Sequence, residues 1–157
     1  MRKVTLILGI LLVSVVSLYA RIDKATTLRN NDRCVEEFLH DIVSTKKSYI
    51  GEPVSKLYAK IAHSCFHIRH MSTMSEGPWS QPDGKEYMTG VILYNKTSEE
   101  MDAKAEVFVV YIDLGIWIDD VDFWHRLPDD DTWMQVFQER TKDMIVKDIS
   151  FEKTRIY

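Results

Sequence analysis

The stretch Ala103 to Asp113, AKAEVFVVYID, constrains this chain more than any other. Its centre, Val107 to Tyr111, is five consecutive apolar residues, three β-branched and two aromatic. That composition predicts a strand buried on much of both faces. Such a strand belongs in the middle of a sheet, so the rest of the chain must supply its partners and its cover. Tyr87 to Tyr94, YMTGVILY, is a second run of the same kind. Ile116 to Arg126 and Thr132 to Arg140 read as two more strands. The polar link Asn95 to Asp102 makes the first pair an antiparallel hairpin. Gly115 marks a bend or bulge in the long passage from Ala105 to Arg126. Pro128-Asp129-Asp130-Asp131 is a turn cluster and predicts a second hairpin. Asp143 to Ile156 alternates loosely through Ile145, Ile149 and Phe151, and reads either as another strand or as a tail.

Upstream lies material to cover this sheet. Val35, Phe38, Leu39, Ile42 and Val43 form one apolar stripe at helical spacing, predicting a helix from about Asp32 to Lys47. Asn31 or Asp32 is placed to cap it. Glu36 and Glu37 in its first turns and Lys46 and Lys47 in its last suit the helix dipole. Glu52-Pro53 opens a shorter second helix with inner face Val54, Leu57, Tyr58 and Ile61. Ser64 to His70 alternates and reads as a short strand. Met71 to Lys85, rich in Gly, Pro and Ser, reads as a loop.

The N-terminus has an address. Arg2 and Lys3 precede the apolar run Val4 to Val16, which is short of the roughly 20 residues a membrane span needs. Small residues follow at Ser17 and Ala20. This is the pattern of a cleaved signal peptide, residues 1–20, with cleavage after Ala20 or after Ser17. It predicts an extracellular, secreted protein without a stable membrane anchor once cleaved. Residues 21–157 then make a single domain, with its core at about 32–141. Losing Arg2 and Lys3 takes the net charge from −4 to about −6, which argues against nucleic acid as a partner.

The chain has two cysteines, Cys34 and Cys65. An oxidising route makes a disulfide between them the expected state. Asn95-Lys96-Thr97 is the one N-x-[ST] sequon, and Asn95 is the candidate N-glycosylation site.

Other motifs yield little chemistry. His63, His67 and His70 stand close together, but a strand does not bring all three to one face, and no carboxylate lies nearby in sequence. They read as ordinary polar edge residues, with no metal site. Asp119, Asp120, Asp122 and Asp129 to Asp131 lack calcium-loop spacing and read as solvated acids. There is no G-x-S-x-G, H-E-x-x-H, P-loop or G-x-G-x-x-G, so no catalytic residue and no cofactor site is assigned. Four tryptophans, Trp79, Trp117, Trp124 and Trp133, are many for this length. With Tyr58 and Tyr111, Trp117, Trp124 and Trp133 are the candidates to line an apolar pocket.

The order of elements, with the signal peptide, resembles the nuclear transport factor 2-like superfamily, above all its small secreted members. Cys34-Val35-Glu36-Glu37-Phe38-Leu39 carries the likeness for the first helix and Val54 to Ile61 for the second. His63 to Ile68 carries it for the first strand, and Val107 to Ile112, Val121 to Arg126 and Trp133 to Arg140 for the later strands. The resemblance implies an α+β fold in which N-terminal helices pack on a curved antiparallel sheet, cone-like, with a pocket. Some members are isomerases, dehydratases or cyclases; others only bind. The isomerase chemistry needs an acid or base buried beside an oxyanion donor. Tyr58 and Tyr111 are the candidate donors here, and no acidic residue stands on an apolar inner face. Cystatin inhibitors share a related architecture, but their Q-x-V-x-G loop is absent: Gln135-Val136-Phe137-Gln138 lacks the glycine.

The expectation is therefore a secreted, non-catalytic binding or interaction protein. Its partner is a small apolar ligand or an extracellular protein, and an open sheet face would favour a homodimer. The alternative is a small pocket enzyme of the isomerase or dehydratase type.

Overall fold

A computed structural model describes residues 30–77, 83–102, 106–128 and 132–155, without the side chains of Ile116, Trp117, Asp120 and Val121. The predicted signal segment and Trp79 lie outside the described residues. The chain divides into two compact units, Met1–Cys34 and Val35–Tyr157. Of the first, residues 30–34 are described and are helical. The second carries the sheet and the core.

The class is α+β, with helices and an antiparallel sheet. Among the described residues the sheet has four strands in the order β1 (His70–Glu76), β2 (Tyr87–Tyr94), β3 (Glu106–Asp119) and β4 (Asp148–Arg155). Every neighbouring pair is antiparallel. The long apolar stretch is β3, and it is central, with β2 on one side and β4 on the other. The Tyr87 to Tyr94 run and its hairpin with β3 stand as predicted. Gly115 sits at a positive φ of 58°. There the ladder jumps from Gly90 opposite Asp113 to Met88 opposite Ile118, so β3 bulges.

Gly90 has a different constraint. A Cβ there would stand 2.2 Å from the Ile112 carbonyl oxygen, so the two central strands close only around a residue without a side chain.

Helix α1 runs over residues 30–44 and is followed by a short 3-10 turn, Lys46–Ser48. Val35, Leu39 and Ile42 are buried, as their spacing requires. Asn31 and Asp32 lie inside the helix, so the predicted cap at either position is corrected. Helix α2 is Val54–Ala62, and Val54, Leu57 and Ile61 are its buried face. Pro53 stands at its N-cap and offers no side-chain acceptor. The free N–H groups of the first turn go instead to backbone carbonyls: Val54 N–H donates to Met144 O and Ser55 N–H to Lys142 O, both at 2.8 Å. An antiparallel bridge between Pro53 and Ile145 completes this docking.

Three strand expectations need correction. Ser64 to His70 is not a strand: residues 66–69 have no regular structure, and β1 begins at His70. Most of β1 falls in the predicted loop, because a polar edge strand, HMSTMSE, buries just one face and lacks the β-branched density of a central strand. The strand predicted over Ile116 to Arg126 ends at Asp119. Asp119 caps helix α4 (Asp120–His125) by accepting from the Asp122 N–H at 3.1 Å. Thr132 to Arg140 is not a strand either but helix α5, Trp133–Thr141. Phe137 and Thr141 are buried and Trp133 packs on the core, a spacing of four that belongs to a helix face. The predicted second hairpin is thus a helix pair, and its turn residues Asp129 to Asp131 lie outside the described residues. Gln135 to Gln138 sits in a helix. The fourth strand comes from the stretch left open as strand or tail, beyond residue 141.

A short helix, α3 (Ser98–Asp102), fills the β2–β3 link. Thr97 and Glu100 close its first turn reciprocally: Glu100 N–H donates to Thr97 Oγ1 at 3.3 Å, and Thr97 N–H donates to Glu100 Oε2 at 2.9 Å. The Thr97 N–H holds the Glu100 carboxyl below its usual range.

Helices cover one face of the sheet. Phe108, Val110, Ile112 and Leu114 of β3 meet Val91 and Leu93 of β2, the stripe of α1, the inner face of α2, and Phe123 and Phe137 of α4 and α5. On the other face, Val107 and Val109 form a separate cluster with Met101 of α3, flanked by partly buried Ile92, Tyr94 and Tyr111.

Candidate functional site

The docking of α2 onto the chain after α5 leaves a groove of about 240 Å³. Its walls are Tyr58, Ile61 and Ala62 of α2, Phe66, His67 and Ile68 of the segment leading to β1, and Gln138 of α5. The segment is fixed at its start. Ser64 Oγ donates to the Ile61 carbonyl at 2.7 Å and accepts from the Phe66 N–H at 3.0 Å. Phe66 is fully buried and anchors it, while His67 stays exposed. Both cysteines are disulfide-bonded, and since the chain has two, the bond is Cys34–Cys65.

A hydroxyl chain links α2 to α5. Tyr58 Oη lies 2.8 Å from Thr141 Oγ1, and Thr141 Oγ1 lies 2.9 Å from the Phe137 carbonyl. The carbonyl can only accept, so the Thr141 proton goes there and Tyr58 donates to Thr141. Burial pushes the Tyr58 phenol up to about 12, against the smaller opposing effect of the Thr141 bond. Tyr58 is therefore a neutral phenol at any physiological pH. The groove presents apolar walls, one neutral phenol, an amide and an imidazole. That set suits an apolar body with a few polar atoms.

The tyrosines and tryptophans singled out in the sequence do not converge. Tyr58 lines the groove. Tyr111 stands on the opposite face of the sheet, where burial, then a hydrogen bond to Glu152 and that carboxylate's charge, push its phenol to about 12. Trp124 and Trp133 pack with Phe123 and Phe137, and Trp124 Nε1 donates to Thr73 Oγ1 of β1 at 3.2 Å. The Trp117 side chain lies outside the description. His63, His67 and His70 are dispersed: His67 is in the groove wall, and His70 sits between the rings of Tyr94 and Trp133 at 5.4 and 5.6 Å. Burial lowers the His70 pKa. Among the described residues no group of three or more His, Cys, Asp or Glu is placed to hold a metal ion. Among them, too, no helix is long and apolar enough to cross a membrane.

Gln138 and Thr141 are not singled out by the sequence, because both sit on α5, whose residues Trp133, Val136 and Phe137 read as the apolar content of a strand. The four-residue spacing of Trp133, Phe137 and Thr141 was the signal that could have found them.

No family model, no curated protein and no solved structure matches this chain.

Proposed function

We propose that this is a secreted, non-catalytic binding protein that takes a small, mainly apolar molecule in the groove between α2, residues 66–68 and α5. The observation that carries the reading is the composition of that groove: Ile61, Ala62, Phe66 and Ile68 beside Tyr58, His67 and Gln138. Secretion is supported by the basic and apolar pattern of residues 2–16 and by the Cys34–Cys65 disulfide. The nuclear transport factor 2-like assignment belongs to this proposal. Its support is the order of two helices ahead of an antiparallel sheet, and the helices inserted between β3 and β4 depart from it.

The catalytic alternative, an isomerase or dehydratase, asks for a buried acid or base. Among the described residues the one fully buried polar side chain is Thr141. The candidate donor Tyr58 meets the Thr141 hydroxyl at 2.8 Å.

The test uses purified full-length secreted protein and 1-naphthol, a probe with an apolar body and one hydroxyl. Saturable binding is expected, read by protein NMR shifts at Tyr58, His67 and Gln138. Ala62→Trp, which fills the groove from an exposed position, should abolish it without unfolding the protein. Binding that does not saturate, or that survives Ala62→Trp unchanged, would exclude the groove as the site.

A further inference from the structure

We propose that Asn95 carries an N-linked glycan on Nδ2 while its Oδ1 pins the β2–β3 turn, and that the sugar is added before this turn closes. The inference rests on the secretory reading above, since only that route brings the chain to the transferring enzyme.

The geometry divides the Asn95 amide between two tasks. Its backbone N–H donates to the Phe108 carbonyl at 3.3 Å, and its Oδ1 accepts from the Phe108 N–H at 2.9 Å. One residue thus uses both backbone groups of Phe108, at the point where β2 ends and β3 returns. A backbone N–H can only be met by an acceptor, so the oxygen must face Phe108 and Nδ2 must face away. Among the described residues Nδ2 has no hydrogen-bond partner. Asn95, Lys96 and Thr97 are partly exposed, and Ser98, Glu99 and Glu100 beyond them are exposed. A sugar on Nδ2 meets solvent there and leaves the Oδ1 bond in place, because glycosylation replaces one amide hydrogen and keeps the carbonyl.

The chemistry needs a lipid-linked pyrophosphate oligosaccharide as donor. The Nδ2–C1 bond forms, the C1–O bond to the pyrophosphate breaks with its electron pair leaving on the phosphate, and Nδ2 loses one proton. The acceptor tripeptide must be free to bend into the enzyme. In the folded turn it is not free: Asn95 Oδ1 is held by Phe108, and Thr97, the hydroxyl residue that defines the sequon, is locked at both Oγ1 and N–H by Glu100. Transfer therefore precedes closure of the hairpin.

Full-length chain translated with microsomes tests this, with lumenal entry read separately by protease protection. A protected chain with one glycosidase-sensitive mobility shift, absent in Asn95→Gln, is the expected result. A protected chain without the shift overturns the inference and leaves secretion standing. A chain that is never protected overturns the secretory reading on which the inference rests. Solubilised oligosaccharyltransferase, offered the folded protein and the reduced, unfolded chain, should modify just the unfolded one, and equal modification of both would overturn the order of events. The pinning role is read apart from the sugar, on unglycosylated protein. Asn95→Asp keeps an acceptor and should hold the denaturation midpoint, whereas Asn95→Ala should lower it. Equal midpoints for the two variants would overturn the pinning role.

Discussion

Both faces of β3 are apolar over Val107 to Tyr111, and they are unequally covered in space. Phe108, Val110, Ile112 and Leu114 pack beneath helices α1, α2, α4 and α5. Val107 and Val109, on the other face, are just as fully buried, yet their cover is Met101 on the short helix α3 and the edges of Ile92, Tyr94 and Tyr111. A continuous apolar run signals burial on both sides. It carries no information about whether the cover is a layer of helices or a single methionine. The difference teaches that one face holds the fold together, while the other is closed at one end and grades into a partly exposed aromatic surface.

The most damaging change strikes the strand that both faces share. Val109 pairs with Tyr94 on one side and Glu152 on the other. Proline there removes a ladder hydrogen bond and disrupts the centre of the sheet, and the helix-interior figure of about 3 kcal/mol is a guide to the loss. Against a reserve of about 5–15 kcal/mol, Val109→Pro should leave little folded protein. Glu99→Pro lies in the exposed first turn of α3 and should fold with a nearly unchanged melting temperature. Similar melting curves for the two would show that β3 is not the centre of the fold.

Single truncations then separate the faces. Leu93→Ala empties a site under the helices and should cost near the top of the about 2–5 kcal/mol range for such changes. Met101→Ala, 8% exposed on a helix of five residues, should cost near the bottom, because α3 can settle into the space. Denaturant midpoints at constant slope measure both. Equal losses would mean that the outer face is roofed as firmly as the inner.

Much of the fold was legible in the sequence, though not the cover of the outer face, and the limits are physical. The stripe of α1, the inner face of α2, the β2 and β3 runs and the bulge at Gly115 follow from periodicity and from glycine's tolerance of positive φ. Strand β1 was not legible because an edge strand needs just one apolar face, and Met71 with polar neighbours resembles a loop. Helix α4 follows a β-branched and aromatic strand run without a break, and a single capping carboxylate, Asp119, marks the change. Helix α5 was lost because Trp, Val and Phe favour strands, and tertiary packing of Trp133, Phe137 and Thr141 overrode that preference. Of the groove, Tyr58 and Ile61 were visible as a helix face. Gln138 belongs to a helix whose composition reads as strand, and the 66–68 wall to a segment with no regular structure.

The finest distinction between the faces is electrostatic and invisible at neutral pH. Tyr58 and Tyr111 are both pushed to about 12, for different reasons. For Tyr58 the cause is burial, and its partner Thr141 is uncharged. For Tyr111 burial is joined by the hydrogen bond and charge of Glu152, at a partly exposed site where ions can reach. Glu152→Gln should therefore lower the Tyr111 pKa and leave that of Tyr58 alone, and added salt should lower Tyr111 more. Titration of the phenolate absorption band, with Tyr58→Phe and Tyr111→Phe to assign the two steps, measures this. The stability consequence has a definite sign. A folded-state pKa above the unfolded value of about 10 means that the contribution is whole below pH 10 and is lost as pH rises towards about 12. For the well-buried Tyr58 the loss is on the order of 2–3 kcal/mol, and Tyr58→Phe should remove this pH dependence. A Tyr58 step near pH 10 would mean that its phenol is not buried beneath α5, and one that moves with Glu152→Gln would mean that Glu152 acts on it across the sheet.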